Sequence, residues 1–229
     1  MTLQRKLRRS TAGGSNISSL AYADYAEDSV DRSTYTFSSM GIGAADDDRF
    51  ILVAVQGAEN SVTTSYAPTS VTVGGQSATK LLNAGVQDFD FNVYSLWRAA
   101  VPTGTTGNVV VVWSRTIYNC SVATLRLIHA TGTVSDSDTT AGSDPETTGS
   151  LTLPSGGVGL ACGGGWETTG GPSVSHSWSG SGAVTSLWSE SQTVGASDIG
   201  NSGCSIDATG TVTLNSSGDY AVVLAATWD

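Results

Sequence analysis

The sequence predicts an all-β fold: a single antiparallel β-sandwich of jelly-roll type over residues 34–229, with an extended N-terminal arm over residues 1–33. Three observations lead there. The composition is 39% hydrophobic and only 13% charged, with abundant Gly, Ser, Thr and Val, which favours strands and turns over helices. Apolar runs recur at short intervals, each bounded by turn residues. No stretch has the charged, helix-forming composition of a long amphipathic helix. At 229 residues one sandwich is within the range of a single domain and buries a sizeable core.

Residues 1–33 read as an arm because the segment is polar, basic and glycine-containing, followed by Leu20 to Ala26 as a short helix or extended piece with an aromatic edge at Tyr22 and Tyr25. The organising stretch is Thr34 to Gln56. Tyr35 and Phe37 alternate with Thr34, Thr36 and Ser38, a polar turn follows through Gly41, Gly43 and Asp46-Asp47-Asp48, and the most apolar strand, Phe50 to Val55, completes a strand pair. Ser70 to Leu81 is a hairpin turning at Gly74-Gly75. Phe91 to Arg98 alternates, Pro102 to Gly107 turns, and Asn108 to Ser114 is a continuous apolar run suited to a strand buried on both faces or central in its sheet.

Val122 to Thr131 gives another strand, with Leu125, Leu127 and His129 on one parity. Residues 132–150 read as a long acidic loop, too poor in apolar side chains for core. Leu151-Thr152-Leu153 and Val158 to Cys162 resume the sheet, and a glycine-rich segment with Trp166, Trp178 and Trp188 precedes the closing strands at Gly210 to Leu214 and Asp219 to Ala225. The count is roughly ten to twelve strands, with no internal repeat visible.

Charge is segregated along the chain. Net charge is −10, but Arg5, Lys6, Arg8 and Arg9 are four of the ten basic residues, leaving six against twenty acidic ones, a net of −14, beyond them. An acidic body of this kind argues against nucleic-acid binding, which needs clustered Lys and Arg. Cys120, Cys162 and Cys204 are too few and scattered for a disulfide framework or zinc site, and read as buried free thiols. The expectation is no signal peptide and no membrane span, since no continuous apolar segment follows the basic tip.

Several stretches together carry a resemblance. Gly41-Ile42-Gly43-Ala44 before an acidic turn, Arg49 to Val55, Ser70 to Ala78, Val93-Tyr94-Ser95-Leu96-Trp97 and Pro102 to Val111 resemble a loosely defined group of β-sandwich structural proteins of tailed bacteriophages and gene transfer agents. The similarity covers residues 34–131, and its motifs are glycine turns and buried strands with no functional residue to carry over. The resemblance implies a non-enzymatic virion component: a head decoration, cement or spike protein, or a tail-fibre module. It also implies residence on the phage particle surface after synthesis in the host cytoplasm, capsid, neck or tail proteins as partners, and self-association, with a trimer suggested by the class. The arm lies outside the shared pattern. From charge alone, Arg5, Lys6, Arg8 and Arg9 are expected to pair with an acidic capsid or neck surface, with Tyr22 and Tyr25 as an apolar foothold.

Other chemistry has thinner support. His129 reads as a core or edge histidine, and His176 has neither a Cys nor an Asp close in sequence, so neither suggests a catalytic base. Acidic loops at Asp46-Asp47-Asp48, at Asp88 with Asp90, and at Asp136 with Asp138 and Asp144 are the candidates for calcium, without EF-hand spacing. Solvated loops are the simpler reading, with Arg49 compensating Asp46 to Asp48, and no cofactor is expected. Trp97, Trp113 and Trp228 sit in strong strands and read as core. Trp166, Trp178 and Trp188, set among Gly, Ser and Thr, are the candidates for stacking on host glycan in the competing reading, a tail-fibre or receptor-binding module.

Overall fold

The computed structural model describes residues 17–59, 67–88, 90–167, 174–181, 183–194 and 197–229. Among the described residues nine strands build the first half of the chain: β1 (Ser19–Asp28), β2 (Arg32–Gly41), β3 (Phe50–Glu59), β4 (Pro68–Val73), β5 (Gln76–Ser77), β6 (Thr79–Asp88), β7 (Asp90–Ala100), β8 (Thr106–Ile117) and β9 (Asn119–Ile128). Eight build the second: β10 (Asp136–Ser143), β11 (Glu146–Thr147), β12 (Val158–Glu167), β13 (His176–Ser179), β14 (Val184–Val194), β15 (Ser197–Ile206), β16 (Thr213–Ser216) and β17 (Tyr220–Trp228). All pairings between named strands are antiparallel.

These strands form four sheets rather than the two of a single sandwich. Sheet I is β2-β8-β4-β5, sheet II β1-β9-β3-β7-β6, sheet III β10-β17-β12-β15-β14 and sheet IV β11-β16-β13. Three apolar layers stack them in that order. Tyr35, Val71, Val109, Val111 and Trp113 of sheet I meet Ile51, Val53, Val93 and Trp97 of sheet II. Leu52, Tyr94, Leu96 and Leu125 on the other face of sheet II meet Leu160, Trp188, Leu224 and Trp228 of sheet III. Ala161, Ile206 and Val223 of sheet III back onto Leu214 and Trp178 of sheet IV.

Composition follows from this stacking. An inner sheet is covered on both faces, so its strands lose alternation: β3, β12 and β17 are buried almost end to end. An outer sheet is covered on one face, and β8 alternates through its Val run, with Val109, Val111 and Trp113 buried and Val110 and Val112 partly exposed. That run is therefore central in its sheet but buried on one face only. The predicted strand pair of Thr34 to Gln56 is not a hairpin either, because β2 belongs to sheet I and β3 to sheet II. The Gly74-Gly75 hairpin is present, with φ of 57° and 81°.

The two halves repeat each other. With the two-residue β5 set aside, first-half strands in order 1-9-3-7-6 and 2-8-4 correspond one for one to 10-17-12-15-14 and 11-16-13. Sheets II and III face each other with these orders reversed, β6 lying near β10 and Tyr22 of β1 stacking on Trp188 of β14 at 5.8 Å. This is the geometry of an isologous pair, built within one chain. No repeat is visible in the residues because the positions share only a burial pattern.

Two further expectations change. Residues 19–28 are not part of an arm: β1 is the edge strand of sheet II, paired with β9 from Ser19↔Ile128 to Asp28↔Cys120. A bulge between Tyr22 and Asp24 puts Leu20, Tyr22 and Tyr25 all toward sheet III, where Tyr25 packs against the body while Tyr22, though stacked on Trp188, stays exposed at the sheet edge. Residues 132–150 are not a plain loop, since β10 pairs with β17 along its length and β11 with β16. The acidic side chains there act as acceptors for backbone N–H groups of neighbouring segments. Asp136 accepts the Thr152 N–H at 2.7 Å, Asp138 that of Gly149 at 2.6 Å and Asp144 that of Ser216 at 2.6 Å.

Candidate functional site

Three connections converge at one end of sheets I and II: the approach to β3, the β7–β8 turn and the exit of β9. Arg49 draws the first two together. Its guanidinium is buried and donates to five backbone carbonyls, Val101 at 2.6 Å, Thr103 and Gly43 at 2.8 Å, Ala44 at 2.9 Å and Ile42 at 3.3 Å. Arg49 therefore chiefly holds loops, although the Asp46 carboxylate also acts favourably on its charge through space. The cation facing Asp46 is Arg126, at 3.5 Å, whose Nε also donates to the Ala44 carbonyl at 2.8 Å. Asp46 in turn accepts the Asp48 N–H at 3.0 Å, which fixes the acidic turn.

Between these segments lies a cleft of about 420 Å³ lined by Asp47, Asp48, Arg49, Phe50, Ala100, Pro102, His129, Ala130 and Thr131. Its volume is that of a small-ligand site. Asp47 and Asp48 are exposed at its wall, and Phe50 is half-buried with the Arg98 guanidinium 4.9 Å above its ring. His129 has φ of 58°, in the left-handed region uncommon for a non-glycine residue, and this turns it out of the β9 parity on which it was expected. Its Nδ1 is buried without a hydrogen-bond partner. The His129 carbonyl accepts from the Ser18 hydroxyl at 3.0 Å, so the chain enters β1 beside the cleft. Thr131 donates to Asp229 at 2.5 Å. The lining combines carboxylates, an imidazole, an apolar floor and the engaged guanidinium of Arg49.

A second set of polar side chains joins the halves. Gln56 Nε2 donates to Asn92 at 3.1 Å, its Oε1 accepts from Ser121 at 2.8 Å, Asn201 donates to Ser121 at 3.0 Å and accepts from the Trp188 indole at 3.1 Å. Gln192 donates to Asn119 at 2.9 Å across the same seam, and the Tyr94 hydroxyl donates to the Gly200 carbonyl. All are buried between sheets II and III, where hydrogen-bonded polar groups fix one arrangement of two otherwise apolar faces, the Asn119 Nδ2 alone among them being buried without a partner.

The other expected site residues fall elsewhere. His176 is held between sheets III and IV, its Nε2 accepting the Gly165 N–H at 3.1 Å and its Nδ1 3.4 Å from Ser189 Oγ. Burial pushes its pKa down to about 4, so it is neutral at ordinary pH and its acceptor nitrogen is occupied by backbone. Trp166 and Trp188 are buried, at 3% and 5% exposure, so neither ring offers a face to a sugar, and Trp178 is half-buried against the sheet III–IV layer. Cys120, Cys162 and Cys204 are buried and free, burial pushing the Cys162 thiol up to about 12. Among the described residues no group of three or more His, Cys, Asp or Glu is placed to hold a metal ion, Asp46 to Asp48 and Asp136, Asp138 and Asp144 included. Asp88 and Asp90 flank the β6–β7 turn, with side chains outside the described set, as are Arg5, Lys6, Arg8 and Arg9.

Sequence reasoning missed the cleft because its walls come from three segments far apart in the chain, and the one local signal was the Asp-Asp-Asp turn. Comparison with protein-family models, with curated proteins and with solved structures finds no match to this chain.

Proposed function

We propose that the protein is a non-enzymatic virion structural protein of a tailed phage or gene transfer agent, a head decoration or spike that docks through the basic segment before β1. Both halves are read as jelly rolls. Numbered within a half, the inner sheet runs 1-8-3-6-5 and the outer sheet 2-7-4, the order two interleaved Greek keys produce. The observation that carries the functional reading is charge segregation: four basic residues cluster before Ser10 and a body of net −14 follows. An acidic body repels other copies and solvent-borne anions, while a basic tip steers the chain to an acidic particle surface. The glycan-reading alternative loses support, since Trp166 and Trp188 are covered.

Testing this requires a truncation that leaves β1 intact. Full-length protein and a version lacking residues 1–16 are sedimented with purified phage heads at low and high salt. Salt-sensitive binding confined to the full-length protein is the expected result. Equal sedimentation of both, or of neither, refutes docking through the segment. Sedimentation equilibrium of the free protein reads the oligomeric state, for which a trimer is the proposal.

A further inference from the structure

We propose that sheet IV is a proton-released flap, latched to sheet III by the neutral imidazole of His176 and let go when that imidazole takes up a proton. The inference stands whether or not the virion reading does.

Three observations carry it. The first is the latch itself: from β13 of sheet IV, His176 Nε2 accepts the Gly165 N–H of β12 in sheet III at 3.1 Å, with Nδ1 3.4 Å from Ser189 Oγ of β14. An imidazolium carries hydrogen on both nitrogens, so once protonated the ring cannot accept from Gly165 and sets one N–H against another. The second is the fit of the ring. A Cβ at Gly200 would overlap the His176 ring and one at Gly165 would overlap Ser216 Oγ, the residue paired with His176 in sheet IV, so the flap lies directly on the backbone of sheet III. Burial there pushes the imidazole pKa down to about 4.

The third observation is scale. The strands of sheet IV have two, four and four residues, whereas those of sheet III have eight to eleven. Openings short of global unfolding are drawn from such lightly held elements.

The charged groups around the ring do not offset the cost of the proton. Glu167 of β12 and Asp198 of β15 are cross-strand partners and share strand parity with Gly165 and Gly200, Asp144 accepts the Ser216 N–H of β16, and Asp219 sits at the entry to β17. The positions of β14 on this side, Ser189 and Ser191, are uncharged. Among the described residues none of these carboxylates forms an ion pair with His176. The released flap therefore binds the proton near the ordinary pKa of 6.5 and the latched one only near 4, so the opening equilibrium rises by about 100-fold between pH 7 and pH 4.

Amide hydrogen exchange of the full chain, followed from pH 7 to pH 4 with and without low urea and corrected for intrinsic rates, tests this. Amides of β13 and β16 should exchange through an opening of their own, less protected and less urea-dependent than amides of β3, and their protection should fall by about 100-fold over that range. His176→Gln keeps an acceptor for Gly165 but does not titrate, and should shrink the fall to less than about tenfold. Wild-type protein alone supplies a second reading: the His176 ring-proton shift should titrate with a midpoint near 4. Equal protection and equal urea dependence in β16 and β3 overturn the proposal, because sheet IV would then open only with the whole fold. An undiminished fall in His176→Gln overturns it by placing the trigger elsewhere, with Asp198→Asn as the next variant to read. A ring titrating near 6.5 in the folded protein overturns it as well, since Nε2 would then not be holding sheet III.

Discussion

Arg49→Met is the most informative single substitution in this fold. The guanidinium is 1% exposed, has no carboxylate in contact among the described residues, and reaches the carbonyls of residues 42, 43, 44, 101 and 103. Hydrogen bonds from a charged donor contribute about 1.5–3 kcal/mol each in isolation, and five do not add. The Gly43, Ala44 and Thr103 contacts are only partly buried, so water replaces much of what is lost there. Val101 and Ile42 are buried, and the Val101 contact, at 2.6 Å, is the shorter, so its stranded oxygen dominates the penalty. Release from desolvating the charge offsets part of this. A net loss of about 3 kcal/mol follows, or a fall in Tm of roughly 6–12 °C for a chain of this length. Urea titration read by tryptophan fluorescence gives the number. Arg49→Lys should lie close to Arg49→Met, because one ammonium cannot reach carbonyls on both sides of the fork. A loss below about 1 kcal/mol for Arg49→Met would refute the idea that Arg49 organises this end of the molecule.

Three other perturbations test the layers. Asn201→Ala strands the Trp188 indole N–H in the seam, while the Ser121 hydroxyl keeps its bond to Gln56, and should cost about 1–3 kcal/mol with a changed near-ultraviolet circular dichroism band, read in the same titration. Gly57→Ala puts a methyl group 2.3 Å from the Trp113 ring between sheets I and II, and should cost about 1–3 kcal/mol by overpacking, whereas Gly75→Ala meets open space and should cost less, through its φ of 81° alone. His176 gives a pH signature. Its folded pKa of about 4 lies below the ordinary 6.5, so below that ordinary value the unfolded chain takes up the proton first, and stability is lost as pH falls from 6.5 to about 4. The full loss is about 3 kcal/mol, and His176→Gln should remove this limb from the difference between acid and neutral stability.

The fold class was legible because burial of strands writes itself into local sequence. Alternation at Tyr35 and Phe37, the apolar Phe50 to Val55 run and the Gly74-Gly75 turn each correspond to what is seen. Layer number was not legible. An uninterrupted apolar run fits a strand buried on both faces, as in β3, and also an outer strand whose exposed positions happen to be Val, as at Val110 and Val112 of β8. The strand content of residues 136–143 was hidden for the opposite reason: β10 is an edge strand rich in polar side chains, with Asp136 and Asp138 occupied by backbone N–H groups of the segment that follows β11. Of the candidate site, the acidic turn was visible as composition, but its partner across the cleft is His129, eighty-one positions later and rotated by a single left-handed residue. Parity arguments fail at such a residue, because they assume an unbroken strand.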